Sequence, residues 1–339
     1  MPKSNSDVHL VGSVPLASAT EVFRRSAERL DQHICRYPDG ETGDRTNWIG
    51  WQLPKLAASK GLVSVAAEDH DYGTTGLVGL AGSDAEVEIT NLGYRDAALA
   101  SYAEFTELKS QGVVAAGSRF QVCLPTPLAP VHLYVQPKDR VVLEEIYEAA
   151  LLREVGELIG AIPDNELAIQ WDTAIEFGVL EGVFPTYLTD PSRQITERLV
   201  RLGEAIPAKV ELGYHLCYGD AGHQHFVEPN DMSKLVAIAN AVSAALTRSI
   251  DWIHMPVPRN RSDDSYFQPL SELTLDTATK LYLGLIHASD GEAGGIARIE
   301  AAKKFCADFG IATECGLGRR PAESIPELLE LHQKLAQRL

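Results

Sequence analysis

The sequence predicts an α/β fold, a single (β/α)8 TIM barrel spanning residues 1–339. Short apolar runs alternate with helix-period segments along the chain, the rhythm of parallel strands joined by helical crossovers. Eight such runs are countable, most followed by a helix. Their C-terminal ends carry residues able to do chemistry, which is where barrels of this kind build their sites. An open doubly wound sheet fits less well, because the first run lacks a G-x-G-x-x-G turn.

The elements follow in order. Residues 8–12 read as the first strand, and 19–32 as a helix opened by Ser18 or Thr20. A polar loop follows at 37–45. Residues 62–67 read as the second strand, and the Gly-rich stretch 73–90 admits a hairpin. Residues 94–110 are helical by period and 119–124 form a strand stopped by Pro125. The second half is more regular. Helices are predicted over 141–159, 194–205, 230–249, 292–309 and 325–339, and strands over 166–171, 209–214, 250–254, 279–286 and 310–313.

Composition narrows the function. The hydrophobic fraction of 45% and charged fraction of 23% are those of a globular protein with a sizeable core. The net charge of −17 repels phosphate backbones and anionic lipid surfaces, so neither nucleic acid nor membrane is expected as a partner. Residues 1–7 are polar and no apolar run approaches the roughly 18 residues of a membrane span, which points to the cytoplasm. The five cysteines are odd in number and widely spaced, arguing for free thiols in a reducing compartment.

Two of these thiols belong to the most informative pattern. His215 and Cys217 end one predicted strand, and residues two apart on a strand share a face. Cys315 ends another. Together they make a His-Cys-Cys set suited to Zn2+, with the fourth tetrahedral position free for substrate. Ser13, Asp172, His254 and His287 stand at other strand ends, so the barrel brings them to the same mouth. Trp48, Trp51 and Trp171 are candidates for a flat apolar wall. His223 and His225 form a second histidine pair, in a segment read as a solvated loop.

These motifs give the chain a resemblance to the catalytic barrel of cobalamin-independent methionine synthases, within the wider group of uroporphyrinogen-decarboxylase-like barrels. Gly12-Ser13-Val14-Pro15 resembles that family's Gly-Ser-Phe-Pro, and Gly40-Glu41 with Asp44-Arg45 resembles its Gly-Glu-x-Glu-Arg. Gln170-Trp171-Asp172 is similar to its Gln-x-Asp, His215-x-Cys217 to its zinc pair, Ile286-His287 to its Ile-His, and Cys315-Gly316-Leu317 to its Cys-Gly-Leu. The resemblance implies that Ser13, Glu41 and Asp172 bind substrate, that His287 works as acid and base, and that His215, Cys217 and Cys315 hold zinc. The strand that carries the family's fourth ligand, a glutamate, reads Asp251-Trp252-Ile253-His254-Met255-Pro256 here. His254 is therefore favoured as the fourth metal ligand, with Glu314 and a three-ligand site as alternatives. Asp172-Thr173-Ala174-Ile175 replaces the family's Asp-Glu-Pro-Ala, which weakens any transfer of its amino acid substrate.

The reading is a zinc-dependent methyl- or alkyltransferase, methionine-synthase-like, that moves a methyl or small alkyl group from a donor onto a small-molecule thiol. His287 and Asp172 are the candidate catalytic residues, and Ser13, Glu41, Asp172 and Trp171 the candidate substrate-binding ones. The same activated sulfur would also serve a C–S bond-forming or bond-breaking enzyme of the epoxide-thiol transferase or lyase type, and a non-catalytic zinc- or ligand-binding barrel is the third reading. Oligomeric state is left open, with a homodimer admitted.

Overall fold

The computed structural model describes residues 7–70, 73–220, 222 and 224–339, without the side chains of 67–70 and 73–75. Nine strands are present among the described residues: β1 Arg36–Pro38, β2 Leu62–His70, β3 Gly73–Leu80, β4 Arg119–Pro125, β5 Leu167–Thr173, β6 Glu211–Leu216, β7 Trp252–Pro256, β8 Lys280–Ile286 and β9 Gly310–Thr313. Seven of them form one sheet in the order β1-β4-β5-β6-β7-β8-β9. Every neighbouring pair in it runs parallel.

The sheet closes into a barrel through residues 7–14. On the β9 side, His9 N donates to Ile311 O at 2.9 Å and Ile311 N donates to Asp7 O at 2.7 Å. On the other side, Val14 N donates to Gly40 O at 2.8 Å, just past β1, and Ser13 bridges Gly40. The first predicted strand thus exists as an extended stave bonded on both edges rather than as a regular ladder.

The crossover helices lie near their predicted positions: Ala19–Leu30, Tyr94–Ser110, Arg140–Ala161, Pro191–Glu204, Ser233–Ala245, Gly291–Lys303 and Ile325–Ala336. Local chemistry sets several ends. Ser18 accepts from Glu21 N at 3.2 Å to cap the first helix. Asp190 caps the helix that begins at Pro191, a residue that suits a first turn because the missing N–H would have no helical partner. No helix among the described residues is long and apolar enough to cross a membrane.

The second strand is a correction. Residues 62–67, expected in the barrel, belong to β2, which pairs antiparallel with β3 in a separate hairpin. The barrel position is taken by β1, three residues at the start of what reads as a loop. A short strand that is buried throughout shows no alternation, so it carries no period to read.

Inside the barrel, alternate residues of each strand point inward and build a polar floor beneath the mouth. His9, Gln121, Gln170, Trp252 and His254 are all buried there. Gln170 is its hub. Its Oε1 accepts from Trp252 Nε1 at 3.1 Å and lies 2.8 Å from His9 Nε2, while its Nε2 donates to Val11 O at 2.6 Å and to Asp172 Oδ1 at 2.8 Å.

Candidate metal centre and active site

His215, Cys217 and Cys315 come together at the C-terminal mouth of the barrel, with one ligand atom from each within 4.8 Å of the others. This is the only such group among the described residues. His215 sits inside β6 rather than past its end, because the strand runs on to Leu216. Its period-2 relation to Cys217 holds: Tyr214, between the inward Gly213 and His215, points outward, where its hydroxyl donates to Leu199 O at 2.8 Å. Cys315 follows β9, and its Sγ lies 3.6 Å from Cys217 Sγ and 3.7 Å from His215 Nε2. Gly219 N donates to Cys217 Sγ at 3.2 Å.

The residues fit a metal, and the hydrogen-bond partners of the two histidines assign the protons accordingly. His254 is wholly buried, with its Nε2 3.0 Å from Thr313 O and its Nδ1 2.7 Å from His215 Nδ1. A carbonyl only accepts, so His254 Nε2 carries a proton. Burial drops the His254 imidazole to about 3, which keeps the ring neutral and its Nδ1 bare. His215 Nδ1 must then donate to it. That leaves the lone pair of His215 Nε2 facing the two thiols, which is the form of imidazole that binds a metal. His215 is itself held well below the usual imidazole range, by burial first and by the neighbouring His254 second. The Cys315 thiol is pushed up by its hydrogen bond to Cys217 and by burial. A dication would offset that cost, since a coordinated thiol loses its proton.

One cavity is lined by all three, together with Ser13, Glu41, Trp48, Asp172, Asp220 and Arg319. Glu41 reaches it from the 39–45 loop in a left-handed backbone conformation, φ 49°, that non-glycine residues rarely adopt. Asp39 braces this loop: its carboxylate accepts from Glu41 N at 2.8 Å, from Ser101 Oγ at 2.8 Å and from Arg45 Nη2 at 2.7 Å. The neighbouring Gly40, φ 81°, has no room for a side chain, because a Cβ there would meet Val22 Cγ2 at 2.6 Å.

The cavity is acidic. Burial pushes the Glu41 carboxyl up to about 8, with the Arg45 charge opposing it. Asp172 is raised well above the usual carboxylate range by burial and then by Glu41. Asp220 is pushed up to about 7 by burial and by Glu314, with the Arg319 guanidinium 4.0 Å away. Protonated or cation-paired acids are what such a site prefers.

Ser13 also stands on the wall, and its hydroxyl oxygen accepts from Gly318 N at 3.2 Å. Ser13 O accepts from Leu317 N at 2.6 Å. The segment after Cys315 is therefore strapped to the first barrel stave, which positions both.

Three expected site residues lie elsewhere. Trp171 is wholly buried and does not line the cavity. Gln170 and Asp172 face inward on β5, so the residue between them faces the helices. His254 does not join the ligand group; both its ring nitrogens are engaged as described. His287 does not line the cavity either. Its Nε2 donates to Val257 O at 2.8 Å and its Nδ1 pairs with Glu314 Oε2 at 2.7 Å, one layer behind Cys315. Of the second histidine pair, His223 lies outside the described residues and the His225 side chain is buried, 3.8 Å from Glu228.

Sequence reasoning misses Asp220 and the positioning role of Gln170. Asp220 follows Cys217 by three residues across a glycine turn, and no spacing rule marks such a residue. Gln170 sits two residues before Asp172 on a strand, which is a readable sign that the two share a face.

No protein-family model matches the sequence, and no curated protein matches it. The fold does have solved counterparts. A Listeria monocytogenes protein assigned as a vitamin B12-independent methionine synthase superposes with a TM-score of 0.60 at 15% identity, covering 97% of this chain and 96% of that one. A B12-independent methionine synthase from Shewanella sp. W3-18-1, solved with selenomethionine, gives 0.62 at 14% identity, covering 98% and 97%. The chain thus shares the barrel fold of these structures over nearly its whole length.

Proposed function

We propose that this barrel is a zinc-dependent thiol alkyltransferase of the methionine-synthase type, acting on a small thiol that carries a cationic group. The observation that carries the reading is the bare Nε2 of His215 beside the thiols of Cys217 and Cys315, at the wall of a cavity rich in carboxyl groups. Zinc held by these three residues would act as a Lewis acid that keeps a substrate thiol in its nucleophilic thiolate form at neutral pH.

The remaining roles belong to the chain. Glu41 and Asp172 would anchor the cationic part of the substrate, since a buried carboxyl regains its charge beside a cation. Trp48 supplies an apolar wall against which the alkyl carbon can be held. In the transfer, a sulfur–carbon bond forms as the bond from that carbon to the donor breaks, and the donor's leaving atom departs with the electron pair of that bond. The thiol proton passes to a wall carboxylate, for which Asp220 is suited because its pKa lies near the working pH. His287 and Glu314, paired behind Cys315, hold the strand end that carries it.

The test is the zinc content of protein purified without added metal, beside a Cys217→Ser variant. About one zinc per chain, lost in the variant, is the expected result, followed by alkylation of aminothiols in preference to thiols without an amine. Protein that takes up no zinc under reducing conditions would sink the proposal.

A further inference from the structure

We propose that His254 is a positioning residue that fixes the tautomer of His215, and that a metal here would be held by three protein ligands, His215, Cys217 and Cys315. The inference rests on the zinc reading above and deepens it. His254 is the register partner of His215 across the β6–β7 ladder, so it stands where a fourth ligand would be sought. Its two hydrogen bonds leave no nitrogen for a metal. One goes to His215 and the other to Thr313 O.

Releasing either bond has a structural consequence. Turning Nδ1 of His254 toward a metal would strand the buried Nδ1–H of His215 without an acceptor, a costly arrangement. Releasing Nε2 would free Thr313 O, two residues before Cys315. The ring therefore ties together two strand ends that are not neighbours in the sheet, because β7 and β8 separate β6 from β9. His215 comes from one of those ends and Cys315 from the other. A single side chain thus sets the orientation of one ligand and the position of another, in the manner of residues that support metal-bound histidines elsewhere.

A metal held by these three residues would then leave a position for substrate with no protein group to displace. No carboxylate converges on the cluster, since only His215, Cys217 and Cys315 approach one another closely enough among the described residues. A substrate thiol bound to a metal held by these three residues would lie in the cavity that Asp172 and Asp220 also line.

X-ray absorption at the zinc edge, on the full chain as purified and on His254→Gln and His254→Leu, tests this together with zinc affinity by chelator competition. One imidazole and two sulfurs in the wild type and in both variants is the expected ligand set. His254→Leu should weaken zinc binding by roughly 10- to 100-fold, whereas glutamine, which can accept from His215 and donate to Thr313 O, should recover most of that loss. Nitrogen NMR of metal-free wild type, which needs no variant to fold, should show the proton on Nδ1 of His215 and on Nε2 of His254. Two imidazoles on the wild-type zinc, or the opposite tautomers, would overturn the role of His254 alone. A wild type that binds no zinc would overturn the alkyltransferase reading with it.

Discussion

His287 and Glu314 are paired at 2.7 Å, Nδ1 to Oε2, beside the His-Cys-Cys cluster, with side-chain exposures of 3% and 9%. Arg320 lies 3.4 Å from the other oxygen of the same carboxylate. Glutamine keeps an acceptor for His287 but loses the carboxylate that also faces Arg320, so Glu314→Gln should cost about 1–3 kcal/mol of unfolding free energy. A double-mutant cycle with His287→Asn measures the coupling by denaturant titration. The expected coupling is about 1–3 kcal/mol, and a value near zero would show that the two side chains do not stabilise each other.

Glu41 gives the stability a pH dependence of definite sign. Its folded carboxyl titrates at about 8 against an ordinary value of 4.5, so between those values the folded chain binds more proton than the unfolded one. Stability from this group is intact below about 4.5 and falls as pH rises toward 8, with a slope of at most about 1.4 kcal/mol per pH unit. Glu41→Gln should remove that slope in metal-free protein, raising Tm at pH 8 more than at pH 5. An equal shift at both values would refute the raised pKa of Glu41.

Gly316 lies against Ser13, and a Cβ built on it would meet Ser13 Oγ at 2.3 Å and Ser13 N at 3.1 Å. Gly316→Ala must therefore move the segment that carries Cys315. A loss of about 1–3 kcal/mol in stability is expected, with zinc affinity lowered at least about tenfold. Adding Ser13→Ala removes the nearer clash, so the double variant should bind zinc more tightly than Gly316→Ala alone. Calorimetric zinc titration of the wild type and both variants decides this.

Asp172 and Trp171 are adjacent in sequence and opposite in direction. Asp172→Asn should raise KM for an aminothiol by about tenfold, the effect of losing one charged hydrogen bond. Trp171→Phe should leave KM unchanged and lower only stability, as core substitutions do. Steady-state kinetics on both variants separates the two, and a KM effect at Trp171 would place that ring at the substrate.

Much of this is readable in the residues. The alternation of apolar runs and helical periods specifies a barrel because each strand can bury its faces only under a helix and against its neighbours. His215-x-Cys217 shares a face by the period of any strand, and Cys315 ends a recognisable run. The weak points share a cause. β1 is too short and too uniformly buried to show a period, so a longer apolar run in the β2–β3 hairpin takes its place in a reading by pattern. Trp171 is near the site in sequence alone, because strand geometry turns it away.

Local periodicity is enough to specify the fold class, the His-Cys-Cys side chains that could hold a metal and the strand ends that carry them, since each follows from residues close together in the chain. Which nitrogen of which histidine faces the thiols is a matter of tertiary packing. It depends on His254 reaching across the barrel to Thr313 O, and a hydrogen bond between strands that are not neighbours leaves no mark in the spacing of residues. The sharing of one cavity by Asp220 and Glu41 is of the same kind, since both come to its wall only when the barrel closes through residues 7–14.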